Sequence, residues 1–362
     1  MIVNHHMPEY VPVELDYGIF ARELANAQYQ IGLLQGSQKM LHNARHLIGP
    51  LIAKEAEVSS KIEGTQSSSK DVYLFDAGGK AVHDDTPVVA NYRRAMFEAI
   101  DSMEGRKKIT KSLIKSLHKT LLTGVRYKGK LGDFRDCEVW IAEKEGDPIE
   151  KALYVPPDPI HVVSYIDNIL DYIDNNSDDM NLVKAGVVHY QFEAVHPFED
   201  GNGRIGRLLI PLILFYKGEL SLPIVYSSGY FEARPNEYRN ALREVDKTGK
   251  YEPWLKFFFS AIAEQAKDTL RLVDEITTLN KDLKKKYETS KSPYMLRLID
   301  LLFEHPVISQ PEVTRRLGIP SRMTASRLID QLIKDGVLTE HEQKESGGAS
   351  LYIFWDLLDI IS

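Results

Sequence analysis

The twelve residues HPFEDGNGRIGR, from His196 to Arg207, force a tight turn that runs straight into a helix. Gly201 and Gly203 allow backbone conformations that other residues resist. The apolar run Ile205, Leu208, Leu209, Leu212, Ile213, Phe215 and Tyr216 then predicts a helix starting near Asn202 or Gly203. A turn whose N–H groups point inward, leading into the positive end of a helix, is an anion seat. Arg204 and Arg207 are three residues apart, so both project near the first turn, where planar guanidinium groups grip phosphate oxygens. Asp200 is a hard oxygen donor beside that seat and suits Mg²⁺. His196 is the side chain most easily held neutral at pH 7 and ready to accept a proton, while Phe198 reads as the loop's anchor in the core. Any one of these alone reads as a capping or loop residue. Gathered together they are the inventory a nucleoside triphosphate needs. The two familiar phosphate loops, GxxxxGK(S/T) and GxGxxG, are absent, so the cradle is of another kind.

The string matches HPFx(D/E)GNGRxxR, the signature of the Fic family, at every defined position, and residues 8–290 resemble the larger Fic proteins that carry an N-terminal helical region. The resemblance implies transfer of AMP from ATP to a hydroxyl of a target protein, with release of pyrophosphate. It implies that His196 deprotonates a Ser, Thr or Tyr of the target, and that Asp200 holds Mg²⁺ at the α- and β-phosphates. Gly201, Asn202 and Gly203 would cradle the phosphates, and Arg204 and Arg207 would neutralise the β- and γ-phosphates. Such chemistry needs little beyond positioning and charge stabilisation.

Upstream, SSKIEG places Ser59 and Glu63 four residues apart on one helix face, with Gly64 as the stop. Leu51, Ile52, Ala56 and Ile62 give that helix its apolar stripe, and Pro50 is expected to separate it from the helix before. By spacing alone this is a surface helix ending in Glu-Gly. It also resembles the family's inhibitory helix, Ser/Thr-x-x-x-Glu-Gly/Asn, which implies that Glu63 pairs with Arg207 and spoils the γ-phosphate position.

The remaining chain reads as mostly helical, with helices over 16–35, 37–48, 87–104, 110–122, 160–175, 181–194 and 251–287, and a loop over 65–71. Residues 128–158 are rich in glycine and proline, and two short strands, 137–142 and 152–155, fit around a turn at 145–147. That is an ordinary hairpin; set beside the signature it resembles the family's flap, in which Val139, Trp140 and Ile141 would hold the target by main-chain pairing. Tyr238 is either helical core packing or, by resemblance, a wall of the adenine pocket.

From residue 292 the order helix, helix, helix, hairpin is that of a winged helix-turn-helix, with a turn at Gly347-Gly348. Residues 291–362 hold 8 Lys or Arg against 10 Asp or Glu, which favours a protein or dimer partner over DNA. The expected architecture is therefore mainly α: an N-terminal helical region (1–105), a Fic helical core with a small β-hairpin flap (106–290) and the winged unit (291–362). The only cysteine, Cys137, precludes an intrachain disulfide. No membrane span or signal peptide is visible, so a cytoplasmic protein is expected. The net charge of −7 leaves nucleotide affinity to local cations. Expected partners are ATP with Mg²⁺ and a target protein; self-modification and a homodimer stay open. Two other functions stay open as well: removal of AMP from a modified protein with Glu63 positioning a water, and a DNA-binding regulator whose Fic domain senses nucleotide.

Overall fold

A computed structural model describes residues 4–39, 44–105, 107–127, 129–144, 146–175, 178–341 and 349–362. The chain is mostly helical. In order come α1 (Tyr17–Lys39), α2 (Ala44–Ile62), α3 (Ser69–Asp76), α4 (Thr86–Ser102), α5 (Lys111–Leu122), α6 (Pro159–Asp174), α7 (Asn181–Val195), α8 (Asn202–Tyr216), α9 (Ser228–Ala233), α10 (Pro235–Thr248) and α11 (Glu252–Lys286). A C-terminal unit follows: α12 (Met295–Glu304), β1 (Val307–Ser309), α13 (Gln310–Leu317), α14 (Arg322–Lys334), β2 (Thr339–His341), β3 (Leu351–Ile353) and α15 (Trp355–Ile361).

The core forms around α7 and α8, which deliver and receive the turn between them. α7 is buried around its circumference, with Leu182, Val183, Val187, Val188, Phe192 and Val195 beside the buried polar Lys184, His189 and Gln191. A helix of that kind belongs in the middle of a bundle. Gly186 lets α11 press close: a Cβ there would meet Leu255 and Phe258 at 2.8 Å. The carbonyl left accessible accepts from Trp254 Nε1 at 2.8 Å. α11 has 35 residues, about 52 Å of helix, and packs along α1.

Three local expectations need correcting. Pro50 does not separate two helices; it lies inside α2. An interior proline costs about 3 kcal/mol, and the complete burial of Ile52, Ala53 and Ala56 on the same helix offsets it. The stretch 65–71 is not all loop, because Ser68 starts α3 with a reciprocal cap: the Ser68 side chain accepts from Asp71 N, and the Asp71 carboxylate accepts from Ser68 N at 2.9 Å. The flap is thinner than two strands, with one bridge, Ile141 to Tyr154, held by Ile141 N→Tyr154 O at 2.9 Å and Leu153 N→Ile141 O at 2.8 Å.

The C-terminal unit has the three helices and the hairpin expected, plus β1 and α15. Its sheet has the order β1-β3-β2, antiparallel throughout, with Val307 and Thr339 both opposite Ile353. Gly318 and Gly336 stop α13 and α14 with φ of 63° and 74°. Residue 145 of the flap turn and Gly347-Gly348 of the hairpin lie outside the described residues. No described helix is long and apolar enough to cross a membrane.

Candidate functional site

The turn between α7 and α8 is strained where it matters. His196 ends α7 with φ 49° and ψ 61°, the only positive φ of a non-glycine residue among those described. A left-handed conformation costs such a residue roughly 1–2 kcal/mol and persists only where its surroundings impose it. Arg135 imposes it here: its Nε donates to His196 O at 2.8 Å, its N to Pro197 O at 2.9 Å, and its Nη2 to Val195 O at 3.3 Å. The other side is braced by His118, whose ring stacks on Phe198 at 3.8 Å. His118 Nδ1 accepts from Gly132 N at 3.0 Å, so Nε2 carries the proton and donates to Asp200 O at 3.1 Å. Burial pushes the His118 imidazole down to about 4, in keeping with that neutral tautomer.

Asn202 closes the loop on itself. Its Oδ1 accepts from Phe198 N at 2.8 Å and its Nδ2 donates to Phe198 O at 2.9 Å. The side chain is thus spent on the turn, and Asn202 is the first residue of α8. Replacing Asn202 with Ala orphans two buried backbone groups. It should lower stability by about 2–4 kcal/mol, read as a fall in the urea midpoint at unchanged m-value.

Gly201 caps α8 with φ 80°, and the amides of the first turn have no acceptor within the helix. The Glu63 carboxylate lies over this positive end: a Cβ at Gly203 would stand 2.4 Å from Glu63 Oε1 and 2.9 Å from Arg207 Nη1. Arg207, 2% exposed, donates from Nη2 to Glu63 Oε1 at 2.6 Å, from Nε to Ser59 Oγ at 2.9 Å and from Nη2 to Ser59 O at 2.9 Å. Gly64, with φ 92°, turns the chain away after α2. Burial alone would raise the Glu63 carboxyl, but Arg207, with help from Arg204 and His196, holds it below the usual range. On Arg207, burial acts to lower and Glu63 to raise, and the carboxylate wins.

Asp200 is 58% exposed; its Oδ1 accepts from Gly201 N at 2.5 Å and from Arg204 Nη2 at 3.2 Å. A half-exposed carboxylate beside a helix start fits a hard cation such as Mg²⁺. Arg204 is 6% exposed, and its buried Nε makes no hydrogen bond within the described protein. His196 Nδ1 faces Glu193 O at 3.4 Å, which leaves Nε2 free, and burial pushes the ring down to about 4.

Glu63, His196, Gly203 and Arg207 line one cavity of about 460 Å³, with Ile141 on the flap side; Asp200, Gly201, Asn202 and Arg204 are not part of its lining. Of the flap trio only Ile141 lines it. Trp140 Nε1 is tied to Asp147 O at 2.7 Å, and Val139 is half-buried away from it. Tyr238 lines the wall near Arg207, with its ring stacked on Phe231 at 4.3 Å and its hydroxyl at 2.8 Å from His189 Nε2, so it both packs the core and borders the cavity.

Reasoning from the sequence passed over Arg135, His118 and Glu193. Arg135 closes the run GDFR, residues 132–135, just ahead of the flap, which marks its place in the chain but not its role. Glu193 lines the cavity with a buried Oε1 that has no partner within the described protein, and burial pushes its carboxyl up to about 7.

The description "Fic/DOC family" fits residues 108–214, and "Fic/DOC family N-terminal" fits residues 21–101. A probable protein adenylyltransferase of Aquifex aeolicus is 31% identical over 128 residues, which are 34% of this chain and 39% of that protein. The protein adenylyltransferase fic-1 of Caenorhabditis elegans is 33% identical over 82 residues, 22% of this chain and 16% of its own. The matches thus span well under half of these relatives. In fold, a Fic family protein from Desulfovibrio desulfuricans aligns over 95% of this chain and 98% of its own, with TM-score 0.60 at 19% identity. A Fic domain containing signaling protein from Bacteroides thetaiotaomicron aligns over 68% and 97%, with TM-score 0.54 at 18% identity. With the signature turn, its helices and both family regions in place over more than half its length, the chain belongs to the Fic/DOC family.

Proposed function

We propose that this protein transfers AMP from ATP to a Ser, Thr or Tyr hydroxyl of a target protein, and that Glu63 restrains it. The observation that carries this reading is the Glu63 carboxylate lying against Arg207 and the start of α8, where a helix N-terminus takes a phosphate. With Glu63 withdrawn, Arg207 and the partnerless Nε of Arg204 are donors for the β- and γ-phosphates. Asp200 would hold Mg²⁺, which when bound supplies positive charge for the departing pyrophosphate. His196 Nε2 takes the proton of the target hydroxyl, its oxygen forms a bond to the α-phosphorus, and the bond from that phosphorus to the pyrophosphate oxygen breaks. The Ile141 main chain is the edge on which an extended target segment would pair. We read the chain as an N-terminal helical region, a catalytic core and a C-terminal unit, meeting near residues 105 and 290.

The position of the label tests the chemistry. Given ATP and Mg²⁺, the Glu63→Gly variant should transfer label from the α-phosphorus to protein, itself included, and none from the γ-phosphorus. Transfer of the γ-label makes the protein a kinase and sinks the reading. Release of AMP from a modified protein by the unaltered chain, lost in Glu63→Gly, assigns the reverse reaction instead.

A further inference from the structure

α2 is gripped at both ends. Near its C-terminal end Ser59 and Glu63 hold Arg207. Toward its N-terminal end it carries the C-terminal unit. α12 ends against Gly49, where a Cβ would stand in contact with Glu304 O at 3.7 Å. α15 packs on α2 and α3. Lys54 Nζ donates to Ser362 O at 3.4 Å, and Lys70 Nζ sits 4.6 Å from the centre of the Trp355 ring. Arg93 of α4, flattened on Tyr73 at 4.8 Å, pairs with Asp76 at 2.5 Å and reaches Glu304 O at 3.5 Å.

The seam is incompletely filled: beside it lies an open cavity of about 380 Å³ lined by Gly49, Phe97 and His305, by Arg93, Arg94 and Arg316, and by Asp76 and Glu304. Incompletely filled seams between units of one chain leave room for relative motion. From Gly49 to the end of α2 at Ile62, one residue short of Glu63, runs about 20 Å of helix. The Glu63–Arg207 bond is 2.6 Å long, and such a bond is lost once its partners part by about an ångström. Pro50 interrupts the helix ladder between the two grips, but Lys54, on the catalytic side of it, has its own contact with the C-terminal unit.

We infer that the C-terminal unit is a second lock on the active site: docked on α2, it holds the helix where Glu63 meets Arg207, and drawing it off frees the phosphate seat. This rests on the reading of Glu63 as the inhibitory group.

Two seam variants test it from opposite sides, each in the full chain. Trp355→Ala removes the ring beneath Lys70, and Gly49→Arg puts a long side chain where α2 meets the end of α12. With Glu63 present, at least one should raise AMP transfer by about fivefold or more, the usual scale of coupling between sites. In the Glu63→Gly background the same variant should change transfer less than about twofold, because two changes that act through one contact are not additive. No gain from either variant, or an equal gain in both backgrounds, overturns the lock. A Glu63→Gly protein that transfers nothing at all overturns the function proposed above instead, so the two failures are distinct.

Discussion

Glu63→Gly should raise the initial rate of AMP transfer roughly a hundredfold, the factor that corresponds to about 3 kcal/mol of plug strength. Three features set that scale. Arg207 is 2% exposed, so its charge is poorly served by water and depends on its partners. Glu63 is itself 40% exposed, so removing it strands no buried carboxylate and opens the cavity mouth. Ser59 stays, still accepting from Arg207 Nε and Nη2, and keeps the guanidinium aimed. Glycine is tolerated because α2 ends at Ile62, so the substitution falls just past the helix and costs little propensity. The freed arginine should also make the fold more responsive to nucleotide: without ATP the melting temperature falls, and with ATP and Mg²⁺ it rises further than in the unaltered chain. An unchanged rate, with the melting temperature lowered but no larger rise on adding ATP and Mg²⁺, means that the ion pair is structural and the γ-phosphate seat lies elsewhere.

What could be read from the sequence was what is local. The signature turn is legible because twelve contiguous residues carry their own geometry, and Ser59 with Glu63 is legible because a helix puts residues four apart on one face. Arg135 and His118 were not, since each is one polar residue that meets the turn only through tertiary packing, 61 and 82 positions away from its partner there. α3 was hidden behind a serine-rich stretch that looks like a loop until Asp71 is seen to answer Ser68 three residues back. Pro50 misled for the opposite reason: a strong local rule yielded to burial of the helix around it. The additional strand β1 is three residues long and gains its meaning only by pairing with β3, 44 residues on. The docking of the C-terminal unit on α2 has no local signal at all, because Gly49, Lys54 and Lys70 are unremarkable in sequence and meaningful only beside Glu304, Ser362 and Trp355.

In the Glu63→Gly background, His196→Ala should cut transfer by about two to four orders of magnitude, the range for loss of a general base. The turn itself should survive, since Arg135 holds it through the backbone oxygens of residues 195 and 196 rather than through the imidazole. Glycine at the same position should be the more stable of the two by about 1 kcal/mol, because φ 49° strains alanine as it strains histidine and does not strain glycine. An inactive, slightly stabilised His196→Gly protein therefore separates catalysis from folding in one comparison. The pH profile gives the second handle. Burial pushes the imidazole down to about 4 from its ordinary 6.5, with Arg135 adding to the effect. A lowered value means that the neutral, proton-accepting form prevails at pH 7 and persists as the pH falls. The acid limb of kcat/KM, which reports the free enzyme, should lie below pH 6.5 and toward 4. A limb that stays at 6.5 in a variant still bearing His196 means that the imidazole is hydrated before nucleotide binds, and that the turn seen here opens in solution.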